Sequence, residues 1–314
     1  MKKFLSTADV SKLHDLLNLA KLCKNDTENF KNALSGKTLG MLFLNPSLRT
    51  RMSTEHAAQL LGMHVISMNV NDAWNIEFEE GAVMNGDKAE HVREMAAVMS
   101  QYCDVLGIRA FPSLTDKAKD YSDETINKFA EFATVPVMSL ESAIRHPLQS
   151  LTDWLTIDEF KKKNKPKVVL TWAPHPKALP QAVPNSFLEW IRHGNYDLVV
   201  THPEGYELDT QFTEGLPITH NQDEAFKNAD FIYAKNWSNF ADYGKILNMD
   251  PNWTVTEEKM ALTNNAKFMH CLPVRRNQVV TDGVLDSKNS IVIQQAHNRT
   301  YAAMAVLLSL LNNL

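Results

Sequence analysis

Short apolar runs alternate with longer amphipathic segments along almost the whole of this 314-residue sequence. In the first half, the apolar runs predict strands at 38–44, 64–70, 104–110 and 135–140, with enough sequence between them for crossover helices. Strands that are almost continuously apolar and are separated by helical segments are typical of a parallel sheet covered on both faces. The first half is therefore predicted to form one βα domain.

The same alternation resumes after a predicted helix at 148–160. The second set of predicted strands lies at 168–172, 198–202, 231–234, 268–272 and 291–295. A strongly apolar helix is predicted to begin at Arg299 and to run to residue 311. The predicted fold class is thus α/β, with two domains that are each a mostly parallel sheet flanked by helices. We expect the first domain at 1–147, completed by the C-terminal helix 299–314, and the second at 148–298.

Charge and cysteine content argue against several classes of protein. The formal net charge is -5 and the basic runs are short, which is not typical of a nucleic-acid-binding protein. Cys23, Cys103 and Cys271 are unclustered, so a disulfide framework and a zinc site with paired cysteine spacing are both disfavoured. We find neither an apolar stretch of signal-peptide length near the N-terminus nor a candidate membrane span, and we expect a cytoplasmic protein.

Segment 45–51, with the sequence Asn-Pro-Ser-Leu-Arg-Thr-Arg, joins the first predicted strand to a predicted helix at 52–61. Backbone N–H groups at a helix start favour an anion, and hydroxyl and guanidinium groups add charge-assisted hydrogen bonds to phosphate oxygens. Ser47, Arg49, Thr50 and Arg51 are therefore candidates to hold a phosphate group. The alternative is that Ser47 simply caps the helix while the arginines are solvated.

Further polar residues follow other predicted strands, where open α/β sheets bind their ligands. Arg109 ends one apolar run, and His146-Pro147-Leu148-Gln149 follows another. Taken singly, Arg109 would be a surface residue and His146 a structural side chain. Together, Arg109 and His146 can both donate to one carbonyl oxygen while Gln149 accepts from an amide N–H, a set that suits a carbamoyl group.

Five motifs then occur in order along nearly the whole chain. They are S-x-R-T-R at 47–51, the strand ending in Arg109, H-P-x-Q at 146–149, H-C-L-P at 270–273 and Asn298-Arg299. In this combination the sequence resembles the aspartate/ornithine carbamoyltransferase family.

The resemblance implies a site for carbamoyl phosphate and a transfer reaction without a metal or organic cofactor. An acceptor amine attacks the carbamoyl carbon, Arg109, His146, Gln149 and Cys271 take the catalytic roles, and phosphate leaves. A cis bond before Pro273 is also implied. Trp74, in a loop at 71–81, is similar in position to the residue that a neighbouring subunit contributes, so a homotrimer is implied. The carbamoyl-phosphate residues implied by the resemblance are Ser47, Leu48, Arg49, Thr50, Trp74, Arg109, His146, Gln149, Cys271, Leu272 and Arg299.

The acceptor region departs from the plain ornithine branch of the family. That branch has an Asp, and further on Ser-Met-Gly, to hold a free α-amino group, whereas this chain has Lys235 at the comparable place. Lys235 would repel an α-ammonium group and suits a carboxylate, so the chain resembles the branch that uses N-acylated ornithine. The residues expected to bind acylornithine are Glu90, Glu141, His175, Lys235, Leu272, Arg275 and Arg276.

The acyl group itself is either acetyl or succinyl. Most of the chain is similar to the succinyl users, but Glu90 is similar to the acetyl users, and its carboxylate would repel the free end of a succinyl group. We therefore predict N-acetylornithine as the better acceptor. The alternatives are that N-succinylornithine is the better acceptor, that Glu90 is only a first-turn acid of a helix at 91–102, or that the chain is a non-catalytic phosphometabolite-binding protein of the same fold.

Overall fold

The computed structural model describes residues 1–69 and 74–311, which form two compact units. Unit 1 comprises Met1–Ser113, Ala118–Leu148 and Arg299–Leu314, and unit 2 comprises Leu114–Lys117 and Gln149–Asn298. Residues 70–73 and 312–314 lie outside the described residues. Among them are the predicted strand residue Val70, the first part of the predicted loop 71–81 and the end of the predicted helix 299–314.

Unit 1 is built on a parallel sheet. Its strands are β1 (Lys3–Phe4), β2 (Thr38–Phe43), β3 (His64–Asn69), β4 (Asn75–Glu77), β5 (Lys88–His91), β6 (Val105–Arg109) and β7 (Val137–Glu141). Five of them form a sheet in the order β1-β7-β6-β2-β3, and β4 pairs with β5 separately. All these pairings are parallel, and every residue of β6 and β7 is buried, as the apolar runs predict.

Helices cover this sheet through their apolar stripes. Val92, Met95 and Ala96 of one helix recur at helical spacing and pack in a buried cluster with Ile126 and Phe129 of another. The helices of this part of the chain are α1 (Leu13–Asn25), α2 (Leu48–Leu60), α3 (Val92–Tyr102), α4 (Lys117–Tyr121) and α5 (Glu124–Phe132), with 3₁₀ helices at Thr7–Asp9 and Thr27–Phe30. Helix α6 (Pro147–Phe160) starts in unit 1 and continues into unit 2.

Unit 2 repeats the arrangement with β8 (Lys167–Trp172), β9 (Asp197–Thr201), β10 (Ile218–Thr219), β11 (Phe231–Lys235) and β12 (Lys267–Met269). They form a parallel sheet in the order β10-β9-β8-β11-β12. Val169, Ile232 and Phe268 lie in its buried core. The remaining helices are α7 (Ala182–Ile191), α8 (Thr210–Thr213), α9 (Gln222–Phe226), α10 (Glu257–Ala261), α11 (Asp282–Leu285) and α12 (Val292–Leu311), with a 3₁₀ helix at Pro251–Trp253.

The prediction of a strand at 291–295 is wrong, as is the prediction that the final helix begins at Arg299. Helix α12 already begins at Val292, so Arg299 lies well inside it. The β-branched run 291–293 has the composition that is typical of a strand. The buried positions Val292, Gln295 and Asn298–Arg299, however, follow the helical period. The fifth strand of the second sheet is instead β10, which has only two residues and was not predicted from the sequence.

The chain order places a topological switch point in each sheet. In the first sheet, β2 and β6 are neighbours, and the chain continues from β2 to β3 on one side and from β6 to β7 on the other. In the second sheet, β8 and β11 are neighbours, and the chain continues from β8 to β9 on one side and from β11 to β12 on the other. Ligands of open α/β sheets bind at such points, beside the carboxyl ends of the strands. The segments after β2 and β6, and those after β8 and β11, are therefore where functional residues are expected.

Candidate active site

The start of helix α2 lies just beyond the carboxyl end of β2. Ser47 is its N-cap, and the Ser47 Oγ accepts a hydrogen bond from the Thr50 backbone N–H at 3.3 Å. The capping role considered for Ser47 is thus present in the structure. Leu48, the first residue of the helix, is 67% exposed, and Arg49 is partly buried. The first turn therefore offers backbone N–H groups at an accessible surface.

Arg51 points elsewhere. Its guanidinium donates to the Asn69 side chain on β3 and lies 4.7 Å from the centroid of the Phe43 ring. The structure therefore separates Arg51 from the other members of the predicted phosphate group.

Thr50 is the meeting point of two arginines from distant parts of the chain. Its Oγ1 accepts from Arg299 Nη2 at 2.6 Å and from Arg109 Nη1 at 3.3 Å. All three side chains are buried. Because these two bonds use the acceptor capacity of the hydroxyl oxygen, its O–H is left to donate toward a ligand.

Besides its hydrogen bond to Thr50, Arg109 forms an ion pair with Glu141. Arg109 Nη1 lies 2.6 Å from Glu141 Oε2, and His146 Nε2 lies 3.6 Å from the same oxygen. A β-bulge brings this pair together, because the register of β6 and β7 shifts after Ile108 so that Arg109 faces Glu141 rather than Leu140. Glu141 has a backbone φ of 152°, a costly conformation for a residue with a side chain.

His146 directly precedes α6 and is 3% exposed. Burial lowers its pKa well below the ordinary 6.5, and the positive charges of Arg299 and Arg109 act in the same direction. The imidazole is therefore neutral at neutral pH. A neutral imidazole still donates one N–H, so His146 can serve as a hydrogen-bond donor without adding a charge.

A buried hydrogen-bond network in unit 2 joins two of the predicted motifs. Gln149 Nε2 and Gln295 Nε2 each donate to Asp153 Oδ1 at 2.7 Å, and the His270 backbone N–H donates to Gln295 Oε1 at 3.0 Å. Asp153 was missed from the sequence, although its position four residues after Gln149 puts both side chains on one helix face. The bond from its NH₂ group to Asp153 thereby fixes the orientation of the Gln149 side chain.

The segment after β12 carries the H-C-L-P motif. The His270 Nδ1 accepts from the Leu272 backbone N–H at 2.9 Å, and Cys271 is partly exposed. The Leu272–Pro273 bond is cis, which confirms the implication of the resemblance. Tyr233 is a further residue that was missed from the sequence. Burial raises its pKa well above 10, and Asp153 and Cys271 add to that effect.

Lys235, the last residue of β11, lies at the switch point of the second sheet. It is almost fully buried, and its Nζ donates to the Asn236 carbonyl at 3.1 Å. His175 follows β8, and its Nε2 accepts from Arg275 Nε at 3.0 Å. The Nδ1 lies 2.9 Å from the Lys177 carbonyl oxygen and 3.1 Å from the Lys177 backbone nitrogen, so polar partners hold both ring nitrogens.

Three positive charges act on His175. Burial lowers its pKa, the hydrogen bond to Lys177 opposes this, and the charges of Lys235, Arg275 and Lys177 lower the pKa further. The field at this place in unit 2 therefore favours anionic groups.

Arg276 is engaged differently from its neighbour Arg275. It forms ion pairs with Asp282 at 2.7 Å and with Asp286 at 2.6 Å. Both partners neutralise its charge at the surface. Of the two arginines expected to bind acylornithine, Arg275 is the one that contacts His175.

Glu90 and Trp74 form a pair in unit 1. Trp74 Nε1 donates to Glu90 Oε2 at 2.7 Å, and the indole is 56% exposed. Glu90 lies in β5, whereas α3 begins at Val92 with His91 as its N-cap. The alternative that Glu90 is a first-turn acid of that helix is therefore wrong, because the chain is still extended at this residue.

Comparison with known proteins identifies the family. Residues 2–159 match the family model described as the carbamoyl-P binding domain of aspartate/ornithine carbamoyltransferase, and residues 181–310 match its Asp/Orn binding domain. The chain belongs to the aspartate/ornithine carbamoyltransferase family. It is a carbamoyltransferase, which confirms the resemblance and the predicted α/β class.

Individual relatives of this family match over the full chain. The chain is 51% identical to the N-succinylornithine carbamoyltransferase of Bacteroides fragilis, with 100% of both chains covered. It is 39% identical to the N-acetylornithine carbamoyltransferase of Xanthomonas axonopodis pv. citri, covering 99% of this chain and 96% of that relative. A crystal structure of a mutant N-acetyl-L-ornithine transcarbamylase complexed with carbamyl phosphate and N-succinyl-L-norvaline matches with a TM-score of 0.92 at 39% identity, covering 99% of this chain and 100% of that one.

Within residues 1–69 and 74–311, every helix is too short or too polar to cross a bilayer.

Proposed function

We propose that this carbamoyltransferase moves the carbamoyl group of carbamoyl phosphate to the side-chain amine of an N-acylated ornithine. The products are N-acylcitrulline and phosphate, and the reaction belongs to arginine biosynthesis. The observation that carries the proposal is the buried cluster in which Thr50 accepts hydrogen bonds from both Arg109 and Arg299. Arg109 also pairs with Glu141, and two buried guanidinium groups that meet on one hydroxyl are an anion-binding arrangement.

The phosphate end of the donor is assigned to the first turn of α2. Backbone N–H groups of Leu48 and Arg49, the hydroxyls of Ser47 and Thr50 and the guanidinium of Arg299 supply donors there. A dianionic phosphate suits this set, because the helix terminus and the guanidinium are both positive. Arg51 is excluded from the assignment by its contacts with β2 and β3.

The carbamoyl end is assigned to Arg109, His146 and Gln149. The amine attacks the carbamoyl carbon, a C–N bond forms, and charge grows on the carbonyl oxygen. Arg109 and the neutral His146 donate to that oxygen, while the Gln149 carbonyl accepts from the carbamoyl NH₂. The C–O bond to phosphate then breaks, and the amine proton leaves with phosphate or to solvent. Glu141, which the sequence assigns to the acceptor, acts mainly by positioning Arg109 and His146.

The acceptor is assigned to unit 2. Lys235 binds the α-carboxylate and disfavours a free α-ammonium, which excludes ornithine itself as the preferred acceptor. Cys271 and Leu272, which follow β12, orient the attacking amine through the thiol and the backbone carbonyls. The cis bond after Leu272 belongs to this same segment.

For the acyl group we favour succinyl. N-succinylornithine carries two carboxylates, and Lys235, Arg275 and Lys177 provide several positive charges around His175. The relatives at 50–51% identity are named N-succinylornithine carbamoyltransferases, whereas those named for N-acetylornithine reach 38–39%. N-acetylornithine is the second candidate, because the carboxylate of Glu90 would repel a succinyl end. The hydrogen bond from Trp74 weakens that argument by holding the Glu90 carboxylate.

We further propose a homotrimer in which Trp74 completes a neighbouring subunit's site. Its exposed indole, unusual for so large an apolar group, supports this assignment.

The proposal is tested by measuring product formation from carbamoyl phosphate with aspartate, ornithine, N-acetylornithine and N-succinylornithine in separate reactions. We expect turnover with the two N-acylornithines, and the faster rate with N-succinylornithine. If only aspartate or only ornithine were carbamoylated, and neither N-acylornithine, the acceptor assignment would be contradicted. A chain that turns over none of the four, but binds carbamoyl phosphate, would be the non-catalytic phosphometabolite-binding protein.

A further inference from the structure

Two histidines and a glutamate that the proposed reaction does not use lie together in unit 2. His202 directly follows β9, His220 directly follows β10, and Glu207 lies in the loop after β9. Because Thr201 and Thr219 are paired in register, the two histidines leave the sheet side by side. One potential ligand atom from each of the three residues lies within 4.8 Å of the other two.

Backbone carbonyls fix the protonation of both imidazoles. His202 Nδ1 lies 2.8 Å from the Pro203 carbonyl, and His220 Nδ1 lies 2.9 Å from the His202 carbonyl. A carbonyl only accepts, so each Nδ1 carries the proton and each Nε2 has a free lone pair. An Nδ1–H bonded to a backbone carbonyl is the arrangement that orients histidine ligands of metal ions.

The Nε2 atom of His202 supplies a second, independent observation. The side chain is fully buried, and this atom has no hydrogen-bond partner among the described residues. A buried acceptor without a partner is costly and calls for an explanation. A cation bound to this lone pair would remove the cost.

Glu207 supplies a negative charge at the same place. Its Oε1 accepts from the Gly205 backbone N–H at 3.2 Å, and Gly205 has a positive φ of 84° that lets the loop turn back. The second carboxylate oxygen is then available as a ligand. Glu207 and His220 are both exposed, so small side-chain rotations suffice to bring the three donors to a common ion.

We infer that His202, Glu207 and His220 form a binding site for a divalent transition-metal ion of the Zn²⁺ type. Two imidazole nitrogens and one carboxylate oxygen suit Zn²⁺, whereas Mg²⁺ and Ca²⁺ prefer oxygen ligands only. Three protein ligands leave one position for water. Because Glu207 and His220 are exposed, an ion can reach these ligands directly from solvent.

The site has a structural role and takes no part in carbamoyl transfer. The ion would join the ends of β9 and β10 to the intervening loop. The His202 ring also packs against Trp237, with ring centroids 6.2 Å apart, and Trp237 lies two residues after Lys235. By fixing His202, a bound metal ion would also reduce the motion of Trp237 and of the neighbouring Lys235.

The test uses the full-length, tag-free protein stripped with a chelator. Zn²⁺ binding is measured by equilibrium dialysis with elemental analysis, and Co²⁺ is used as an absorbance probe of the ligand set. His220→Ala and Glu207→Gln change exposed ligands and should fold. His64→Ala removes an exposed histidine in unit 1 and is the matched control.

We expect about one Zn²⁺ per chain in the wild type and in His64→Ala, with a rise of Tm on binding. His220→Ala should weaken binding by roughly tenfold or more and remove the Co²⁺ absorbance bands. Absence of stoichiometric binding in the wild type would overturn the inference. So would a Zn²⁺ affinity and a Co²⁺ spectrum that both stay unchanged in His220→Ala, since the ion would then bind elsewhere.

Discussion

The two units place their candidate binding residues at equivalent points of similar sheets but build them differently. In unit 1, Thr50, Arg109 and Glu141 are buried and bonded to one another at the switch point between β2 and β6. In the acceptor region of unit 2, Lys235 is buried, whereas His175 and Arg275 near it are more exposed. A rigid, desolvated cluster suits a reaction common to a whole family, whereas an open cluster of cations can be altered to accept different substrates.

The largest effect is expected from the buried cluster of unit 1. Arg109→Ala removes a donor to the developing oxyanion and should lower kcat/KM by about 10²- to 10³-fold with every acceptor. Steady-state kinetics would measure this loss. Arg93→Ala, which removes an exposed arginine, is the control. A drop of less than about tenfold in Arg109→Ala, in protein with unchanged circular dichroism, would break the assignment of unit 1 to the donor.

The next largest effect distinguishes the acceptor role of unit 2 from the donor role of unit 1. Lys235→Met removes the cation proposed for the α-carboxylate and should raise the KM for the acylornithine by roughly tenfold or more, because hydrogen bonds to charged groups contribute about 1.5–3 kcal/mol. The KM for carbamoyl phosphate should stay the same. Lys245→Met, at an exposed lysine paired with Asp242, should change neither value. An equal rise in both KM values would argue against separate donor and acceptor assignments.

The lowered pKa of His146 predicts how the free energy of unfolding depends on pH. The unfolded chain takes up a proton on His146 near pH 6.5, but the folded protein does not, because its pKa is lowered. The stabilising contribution is therefore complete above pH 6.5 and is lost below it, by at most about 1.4 kcal/mol per pH unit. NMR should detect no titration of the His146 ring between pH 8 and 6. A ring that titrates near 6.5 would contradict the neutral-donor role.

The smallest effect concerns the acyl group. Arg275→Ala should reduce kcat/KM for N-succinylornithine several-fold more than for N-acetylornithine, since only the succinyl group carries a second carboxylate. Its neighbour Arg276, held by Asp282 and Asp286, is the matched control, and Arg276→Ala should leave the ratio unchanged. If Arg275→Ala lowered kcat/KM equally for both acceptors, Arg275 would not distinguish a succinyl group from an acetyl group, and the proposed preference for succinyl would lose its structural support.

Local patterns predicted much of the fold but not its irregular contacts. The apolar runs at β2 and β6 predict strands because both faces of these strands are buried. The run 291–293 is equally apolar and β-branched, yet α12 begins within it at Val292. Periodicity over three residues cannot separate a strand from a helix.

Parts of the candidate site depend on tertiary contacts that no motif encodes. Arg109 and Arg299 both donate to Thr50, although they lie 59 and 249 positions after it in the sequence. The bulge that places Arg109 opposite Glu141 arises from the pairing of β6 with β7. The extended conformation of Glu90 likewise follows from pairing of β4 with β5. Sequence patterns identify such residues one at a time and not as a cluster.

The acceptor assignment is the central claim, and a single competition assay tests it most directly. Carbamoyl phosphate is supplied with equal amounts of ornithine, N-acetylornithine and N-succinylornithine, and the products are quantified by mass spectrometry, so that their ratio reports the ratio of kcat/KM values. We predict that N-acylcitrullines, with N-succinylcitrulline foremost, account for nearly all of the product. A product that is mainly free citrulline would contradict the account.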